Sequence, residues 1–321
     1  MRQAGRVLPE YRTARKSHTL ENLYADPGLS ARLAALPVER FGVDAATVVW
    51  DIRLPLLSMG LLDRLADPDS PAGRTDDSQS TPPLPSQWRR ARPDDFGHLV
   101  DGVRLLARGL GGRADILGAV GAPFTLAASA LDPGAPASAS RTKALLLGSP
   151  DQWADLASAL SEAAALAAEA QVLAGADVIH VYDTWAAALD EPDYRRHVLP
   201  WTRRVFDAID ALGVPAIHFG LGTEHLLQAY EEAGGDVIGI DARLPIDAAW
   251  TRLGPDKGIQ GNLHPTLLVG PIDRALEATE EILARAGNRP GFVFGLSHGL
   301  LPSTPPAVLH TLVRYIHRFH S

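Results

Sequence analysis

The stretch that decides the fold is residues 150–183, PDQWADLASALSEAAALAAEAQVLAGADVIHVYD. It joins a long run rich in alanine and leucine, which favours a helix, to a short apolar run that favours a strand. Pro150 is typical of a helix start and Gly175 of a helix end. A helix is therefore predicted over Gln152–Leu173 and a strand over Asp177–Tyr182. The strand is apolar on both faces, as is typical of a parallel strand covered by helices.

The same alternation continues along the chain in both directions. Further helices are predicted over Glu191–Leu212 and Glu224–Ala233. Alternation of this length predicts an α/β fold with parallel strands. The other predicted strands are Asp44–Trp50, Asp115–Val120, Pro215–Phe219, Asp236–Ile240, Lys257–Gln260 and Gly291–Gly295.

Seven strands can be recognised, and an eighth would close a (β/α)8 barrel of the TIM type. Leu54–Leu57 is a candidate for the eighth. Periodicity alone does not separate this barrel from a doubly wound open sheet. Two segments, near 67–92 and 131–140, are rich in Pro, Ser, Asp or Ala and are predicted to be surface excursions. Because the alternation resumes after each, a single domain over residues 1–321 is predicted.

Composition narrows the class of protein. The net charge is −8, and the chain contains no cysteine. An acidic chain is not typical of a nucleic-acid binder. The lack of cysteine excludes a disulfide framework and thiolate metal sites. No run of about 18 uncharged apolar residues occurs, so no membrane span is predicted.

Polar or glycine-containing steps follow nearly every predicted strand. Asp51 follows the first strand, Asp183 and Thr184 follow the third, and His298 follows the last. In a barrel these steps meet at the C-terminal rim, and in an open sheet they line one edge. Either fold therefore predicts a site at the carboxyl ends of the strands. Taken singly, Asp51 and Asp183 are explained as well by helix capping.

The first twelve residues, MRQAGRVLPEYR, form a second informative motif. Arg2 and Arg6 flank the small-residue step Gln3-Ala4-Gly5. Arginine suits bidentate recognition of carboxylates, and glycine lets the backbone approach a ligand closely. On local physics alone, a frayed terminus with solvated charges explains the stretch equally well.

This stretch closely resembles RQAGRYLPEYR of the uroporphyrinogen decarboxylase family, with Val7 in place of tyrosine. Six further motifs resemble that family in the right order and extend the resemblance along almost the whole chain. They are Val49–Ile52 with Met59-Gly60 (FSDILVVPQAMG in the family), Gly118–Leu126 (GFAGAPWTL), Tyr182–Ala186 (FDSWAG), Gly239–Asp241 (GLDW), Gly261–Leu263 (GNLDP) and Ser297–Leu300 (GHGLYP).

The resemblance implies a (β/α)8 barrel, usually a homodimer, in the cytoplasm. It implies a lyase of haem biosynthesis that converts the four acetate arms of uroporphyrinogen to methyl groups and so forms coproporphyrinogen. The implied enzyme uses no metal or organic cofactor, because the protonated pyrrole ring itself accepts the electrons. A small tetrapyrrole is then the expected partner, with no nucleic acid or membrane.

The resemblance also assigns roles at the matching positions. Asp51 is expected to accept hydrogen bonds from the pyrrole N–H groups and to stabilise the cationic ring. Arg2 and Arg6 are expected to bind substrate carboxylates, and one of them to deliver the proton. A substrate-binding role is expected for Gln3, Ser129, Thr184 and His298.

Several positions depart from the family pattern. Ser129 stands where the family has a tyrosine, and its hydroxyl is too short for the same reach. Val7 and Ala242 replace aromatic residues and would widen the cleft if they line it. The open alternatives are a catalytically weak tetrapyrrole-binding paralogue and a methyltransferase of the same fold. Because the chain begins directly at its first motif, a late start or a trimmed chain is expected.

Overall fold

A computed structural model describes residues 4–65 and 88–319. Within these ranges seven strands form one parallel sheet, and strands that are neighbours in the sheet are also consecutive in the sequence. The strands are β1 (Ala45–Thr47), β2 (Asp115–Gly121), β3 (Val178–Tyr182), β4 (Ala216–Phe219), β5 (Val237–Gly239), β6 (Gly258–Leu263) and β7 (Phe292–Leu296).

Helices connect the strands and pack on the sheet. A π-helical turn, Tyr194–Val198, lies between two of them. The helices are α1 (Pro9–Ser17), α2 (Leu20–Ala25), α3 (Pro27–Phe41), α4 (Leu54–Met59), α5 (Gly97–Leu110), α6 (Pro123–Leu131), α7 (Ser140–Gly148), α8 (Pro150–Ala174), α9 (Glu191–Asp193), α10 (Leu199–Asp210), α11 (Leu227–Ala233), α12 (Ile246–Leu253), α13 (Ile272–Ala286) and α14 (Pro306–Phe319).

The strand order decides between the two fold classes that the sequence left open. A doubly wound sheet reverses its order at a switch point, whereas here each strand pairs with the next one in the chain. A central cavity of about 460 Å³ is lined by residues of both edge strands, β1 and β7, so the sheet curls around it. The fold is therefore α/β, with a parallel sheet curled in the order of a TIM-type barrel.

The interpretation of Leu54–Leu57 as an eighth strand is wrong, because these residues belong to α4. Pro55 lies in the first turn of this helix, where its fixed φ and missing N–H are tolerated, and Gly60 ends the helix at φ 76°. In the part of the chain that the structure describes, no eighth strand is present, and β1 and β7 do not pair with each other.

The other elements follow the sequence closely. Each predicted strand overlaps the observed one, and α8 extends the predicted helix by a few residues. The helix predicted over Glu191–Leu212 is interrupted by the π-helical turn just before Pro200, since proline cannot donate the hydrogen bond that a continuous helix needs there. Of the two predicted surface excursions, the one near 131–140 corresponds to the loop between α6 and α7. Most of the other, residues 67–87, lies outside the described residues.

Helix α8 forms the support behind β2 and β3. The Gln171 side chain accepts a hydrogen bond from the Ala119 N–H (2.8 Å) and donates one to the Ala119 carbonyl (3.2 Å). Gly118 makes this approach possible, because a Cβ there would lie 3.0 Å from Gln171 Oε1. A buried side chain of α8 thus holds β2 from behind.

Helix α8 is also long and apolar enough, by length and composition, to cross a membrane. However, 56% of its apolar window is buried inside the protein. A buried core helix passes the same test, so this helix is weak evidence for a membrane span.

Candidate functional site

Asp51 lies in the turn between β1 and α4, at the carboxyl end of the sheet. Its neighbour Ile52 packs against the end of β2, where a Cβ on Gly121 would lie 3.4 Å from Ile52 Cδ1. The missing side chain at Gly121 therefore lets the Asp51 turn approach β2 closely. This contact places Asp51 at the rim, as the sequence predicted.

The Asp51 carboxylate is held by Arg53. Oδ1 accepts hydrogen bonds from the backbone N–H and from Nε of Arg53, both at 2.9 Å, and Oδ2 accepts one from Nη2 at 2.6 Å. Burial alone would lower the pKa of Arg53, but the hydrogen bond and the charge of Asp51 outweigh it and raise that pKa. The pair is a bidentate, charge-assisted interaction at a half-buried position.

Tyr24 connects this turn to the amino-terminal segment. Its phenol is half-buried, and this burial, together with the charge of Asp51, raises the pKa of Tyr24 well above its ordinary value. The charges of Arg6 and Arg53 act on the same phenol in the opposite direction. The charges of Asp51, Arg53 and Arg6 therefore all act on one half-buried tyrosine, which connects Arg6 electrostatically to the Asp51 turn.

The segment that carries Arg6 is attached to the far edge of the sheet. Val7 and Leu8 are buried in an apolar cluster with Leu296 and Leu300, at the end of β7. Arg12 Nη2 donates a 2.7 Å hydrogen bond to the Pro302 carbonyl in the loop that follows. The ordered packing of Val7 and Leu8 contradicts the frayed-terminus explanation for residues 4–8. Arg2 and Gln3 lie outside the described residues.

Asp183 is the centre of a second polar cluster, after β3. Its side chain is fully buried, and its oxygens accept hydrogen bonds from Thr125 Oγ1 (3.0 Å) and from the Tyr194 hydroxyl (3.1 Å). The Tyr230 hydroxyl donates to the backbone carbonyl of Asp183 at 3.2 Å. Burial, with the charge of Asp183 adding, raises the pKa of both tyrosines. Both phenols therefore remain protonated donors.

Thr184 and Ser129 lie next to this cluster and differ in what their hydroxyls do. Thr184 is 7% exposed, and its Oγ1 has no hydrogen-bond partner among the residues that the structure describes. Ser129 Oγ donates instead to the Thr125 carbonyl within α6, at 2.8 Å. The Ser129 hydroxyl is thus already engaged in its own helix.

His298 is exposed after β7 and is one of the residues that line the central cavity. The side chains of His180, Tyr182 and Phe219 line the same cavity and pack against one another with ring centroids 4.1 to 6.1 Å apart. The cavity therefore combines an aromatic wall with a few polar groups, which is typical of a small-molecule site.

Two of the departures do not affect a cleft in the way the sequence suggested. Val7 is 1% exposed and packs in the apolar cluster beside β7. Ala242 is exposed, directly after Asp241. Neither replacement therefore widens a buried cleft, and the smaller side chain at position 7 instead fits between packed aliphatic residues.

Sequence reasoning missed the partners of both aspartates. The Asp-x-Arg spacing of Asp51 and Arg53 could have suggested their ion pair. Side chains two positions apart meet only where the backbone turns between them, however, and the sequence does not show such a turn. No signal in the sequence joins Asp183 to Thr125, which is 58 positions away.

Within residues 4–65 and 88–319, no group of three His, Asp or Glu side chains could hold a metal ion.

A parallel α/β sheet curled in barrel order, with an aspartate–arginine pair at its carboxyl end, is typical of enzymes that bind small molecules at that rim. Comparison with known proteins agrees and is more specific. The family model for uroporphyrinogen decarboxylase matches residues 1–319. The chain belongs to the uroporphyrinogen decarboxylase family.

Individual relatives support the same assignment. Uroporphyrinogen decarboxylase of Streptomyces coelicolor is 41% identical over 99% of this chain and 88% of its own length. The enzyme of Thermobifida fusca is 40% identical, over 99% of this chain and 87% of its own length. Identity at this level along the whole chain is far above what shared fold alone produces.

A solved methyltransferase from Methanosarcina mazei superposes with a TM-score of 0.72, at 19% identity, over 94% of this chain and 88% of its own. A putative vitamin B12-independent methionine synthase from Listeria monocytogenes gives 0.62 at 12% identity, over 99% and 95%. Likeness at such low identity shows a common fold and nothing about activity.

Proposed function

We propose that this chain decarboxylates the acetate arms of uroporphyrinogen to form coproporphyrinogen, without metal or organic cofactor. The observation that carries the proposal is the Asp51 carboxylate after β1, held in place by the backbone N–H and the guanidinium of Arg53, with the charge of Arg6 acting on the neighbouring Tyr24. This arrangement places a carboxylate beside an arginine in a chain whose relatives of known name are uroporphyrinogen decarboxylases. A macrocycle with carboxylate arms and central N–H donors is complementary to such a site, because the arms can bind the arginines and the N–H groups can donate to the aspartate.

The chemistry that these groups would support is simple in its balance. A proton adds to a ring carbon of one pyrrole, and the ring becomes cationic. The bond between the acetate methylene and its carboxylate then breaks, CO2 leaves, and the bonding electrons neutralise the ring. A second proton adds to the exocyclic methylene, the first is lost from the ring, and a methyl group results.

Asp51 would act on the cationic intermediate. A fixed carboxylate beside the pyrrole nitrogens accepts their N–H hydrogen bonds and stabilises the positive charge where it develops. Because the carboxylate is already held by the backbone N–H of Arg53, little reorganisation is needed at that moment. This is the physical reason for giving Asp51 the central catalytic role.

The remaining polar residues would hold the arms. Arg6 and Arg2 would bind carboxylates through their planar guanidinium groups, and one of them would deliver the proton. The unpartnered hydroxyl of Thr184 and the ring of His298 would supply further hydrogen bonds, and Gln3 would contact the macrocycle. For Ser129 a substrate contact requires its hydroxyl to leave the Thr125 carbonyl.

The proposal also includes a cytoplasmic homodimer that binds neither nucleic acid nor membranes, as the family resemblance implies. The assembly part is tested by the mass of the purified chain in solution, from light scattering. A mass of one chain at the concentration used for assay would contradict the dimer.

The activity is tested with pure protein and uroporphyrinogen under anaerobic conditions, in the presence of EDTA. We expect coproporphyrinogen and the partly decarboxylated intermediates to accumulate. Binding of uroporphyrin without any turnover of uroporphyrinogen would instead indicate a tetrapyrrole-binding paralogue. The engaged hydroxyl of Ser129 is the observation that favours this second candidate. Activity that is lost with EDTA and restored by zinc would contradict the cofactor-free reaction.

A further inference from the structure

Arg53 is the residue of the site that the family motif does not account for. The motif FSDILVVPQAMG has leucine two positions after its aspartate, and this chain has arginine there. The Arg53 side chain folds back on Asp51 and is 24% exposed, against 14% for Asp51. A cation therefore lies directly against the carboxylate that is assigned the central role.

This cation competes with what Asp51 has to do. A carboxylate offers about four acceptor positions, and three on Asp51 are occupied, all by Arg53. Pyrrole N–H groups that approach the pair find one acceptor position instead of four. The guanidinium also cancels the negative charge that would stabilise a cationic ring. The Asp51–Arg53 ion pair is therefore compatible with the site before substrate binds, but it would hinder Asp51 once substrate is bound.

The pair is built so that its two halves can separate. The backbone N–H of Arg53 continues to hold Asp51 Oδ1 when the guanidinium leaves, so the carboxylate keeps its position. Arg53 directly precedes α4 and is partly exposed, so its side chain can turn outward. A ligand with carboxylate arms offers the guanidinium a new bidentate partner.

We propose that Arg53 is an exchangeable carboxylate receptor, which binds Asp51 in the empty site and a substrate carboxylate in the loaded one. This inference rests on the proposed function, because it takes a polycarboxylate with N–H donors as the ligand. In the exchange every charged group keeps a partner. Arg53 passes from one carboxylate to another, and Asp51 passes from a guanidinium to pyrrole N–H groups. Arg53 thus adds a substrate contact at a position that a leucine cannot provide.

The chain contains a matched control for this arrangement. Arg243 follows Asp241 at the same spacing, and its backbone N–H donates to Asp241 Oδ1 at 2.9 Å, as in the Asp51 turn. Its Nε lies 3.7 Å from Asp241 Oδ2, and the side chain is 65% exposed. Both turns therefore share the backbone hydrogen bond, whereas of these two turns only that of Asp51 has the close bidentate side-chain pair.

The test compares Arg53→Leu, Arg53→Lys and Arg243→Leu in steady-state turnover of uroporphyrinogen. We expect Arg53→Leu to raise KM by about tenfold, the effect of losing one charge-assisted contact, with a smaller change in kcat. Arg53→Lys should recover part of the loss, since it keeps the charge but not the planar fork. Arg243→Leu should change KM by less than about twofold.

Two results would overturn the exchange. If Arg53→Leu leaves KM unchanged, Arg53 does not contact substrate. If it lowers kcat at constant KM, and Arg53→Lys restores kcat, Arg53 is a clamp that positions Asp51 and stays in place during turnover.

A binding measurement separates failure of this inference from failure of the proposed function. Uroporphyrin, the oxidised macrocycle with the same carboxylate arms, is titrated into each variant and followed by the shift in Tm. Absence of turnover in the unmodified chain contradicts the function, and the exchange is then judged by binding alone. We expect about tenfold weaker binding for Arg53→Leu than for Arg243→Leu. Equal affinities would overturn the exchange. If Arg53→Leu fails to fold, Arg53→Gln replaces it with the same expected order.

Discussion

Asp51 and Asp183 occupy equivalent places in the chain, each just past the carboxyl end of a strand, yet their surroundings are opposite. Asp51 is partly exposed and bonded to a partly exposed arginine. Asp183 is fully buried and bonded to the hydroxyls of Thr125 and Tyr194. One carboxylate is paired with a charged, partly exposed side chain, and the other with hydroxyls that are packed in the core.

The difference indicates that the two aspartates at the rim have different roles, one structural and one catalytic. The hydroxyl donors to Asp183 are neutral and buried, and the raised pKa of Tyr194 keeps its proton in place. The buried His218 ring also lies close to this carboxylate, with Nε2 3.8 Å from Asp183 Oδ2. The Asp183 cluster ties α6 and the π-helical turn before α10 to the end of β3 and thereby fixes Thr184. The Asp51 turn is supported by the backbone N–H of Arg53 and by Ile52 against β2. We therefore infer that Asp183 supports the site and that Asp51 carries out the reaction.

The largest effect that this comparison predicts is the loss of activity in Asp51→Asn. Asparagine keeps the shape but removes the charge that would stabilise the cationic ring. We expect kcat to fall by a factor of about 10² or more, which corresponds to about 3 kcal/mol. The measurement is anaerobic turnover of uroporphyrinogen at saturating substrate.

Asp51→Asn should leave the fold intact, so its far-UV circular dichroism and Tm should stay close to those of the unmodified protein. Turnover within a factor of about two of the unmodified chain would show that the charge of Asp51 is not used. The catalytic role proposed for Asp51 would then be wrong.

Asp183→Asn should show the reverse pattern, with stability as the primary loss. The amide nitrogen would face a hydroxyl that donates, so at least one buried hydrogen bond is lost. We expect the free energy of unfolding to fall by about 2–3 kcal/mol, the range for a hydrogen bond to a charged group. Chemical unfolding measured by intrinsic fluorescence tests this value, with Asp51→Asn as the matched control. Equal stability of the two variants would show that burial does not distinguish these carboxylates.

Tyr194→Phe sharpens the comparison by removing one donor and nothing else. Asp183 Oδ2 would lose the 3.1 Å hydrogen bond from the phenol, and a buried acceptor would be left with fewer partners. The expected loss is about 1–2 kcal/mol in the same unfolding experiment. Because Tyr194 is fully buried, the KM for uroporphyrinogen should change less than the stability does. A loss of activity without any loss of stability would indicate that Tyr194 reaches the substrate.

The sequence predicted the positions of these residues better than their environments. Apolar runs bounded by polar steps located all seven strands, because burial on both faces leaves a clear pattern. The same pattern misassigned Leu54–Leu57, since a four-residue apolar run with proline fits either an edge strand or the first turn of a helix. Asp51 and Asp183 have nearly the same local sequence context, and only contacts across 11 to 58 positions separate them. Such contacts leave no periodic signal.

The smallest expected effect concerns Thr184, the neighbour of Asp183. Its Oγ1 is buried without a hydrogen-bond partner among the described residues, so the folded protein gains little from this hydroxyl. Thr184→Val replaces it by a methyl group of similar size, and the free energy of unfolding should change by less than about 0.5 kcal/mol or rise slightly. If Thr184 binds substrate as proposed, KM should nevertheless increase by about threefold to tenfold. Thr125→Val is the control, because that hydroxyl donates to Asp183 and its removal should destabilise the protein. A Thr184→Val variant that is destabilised at constant KM would contradict the substrate contact. Thr184 would then support the folded structure together with Asp183.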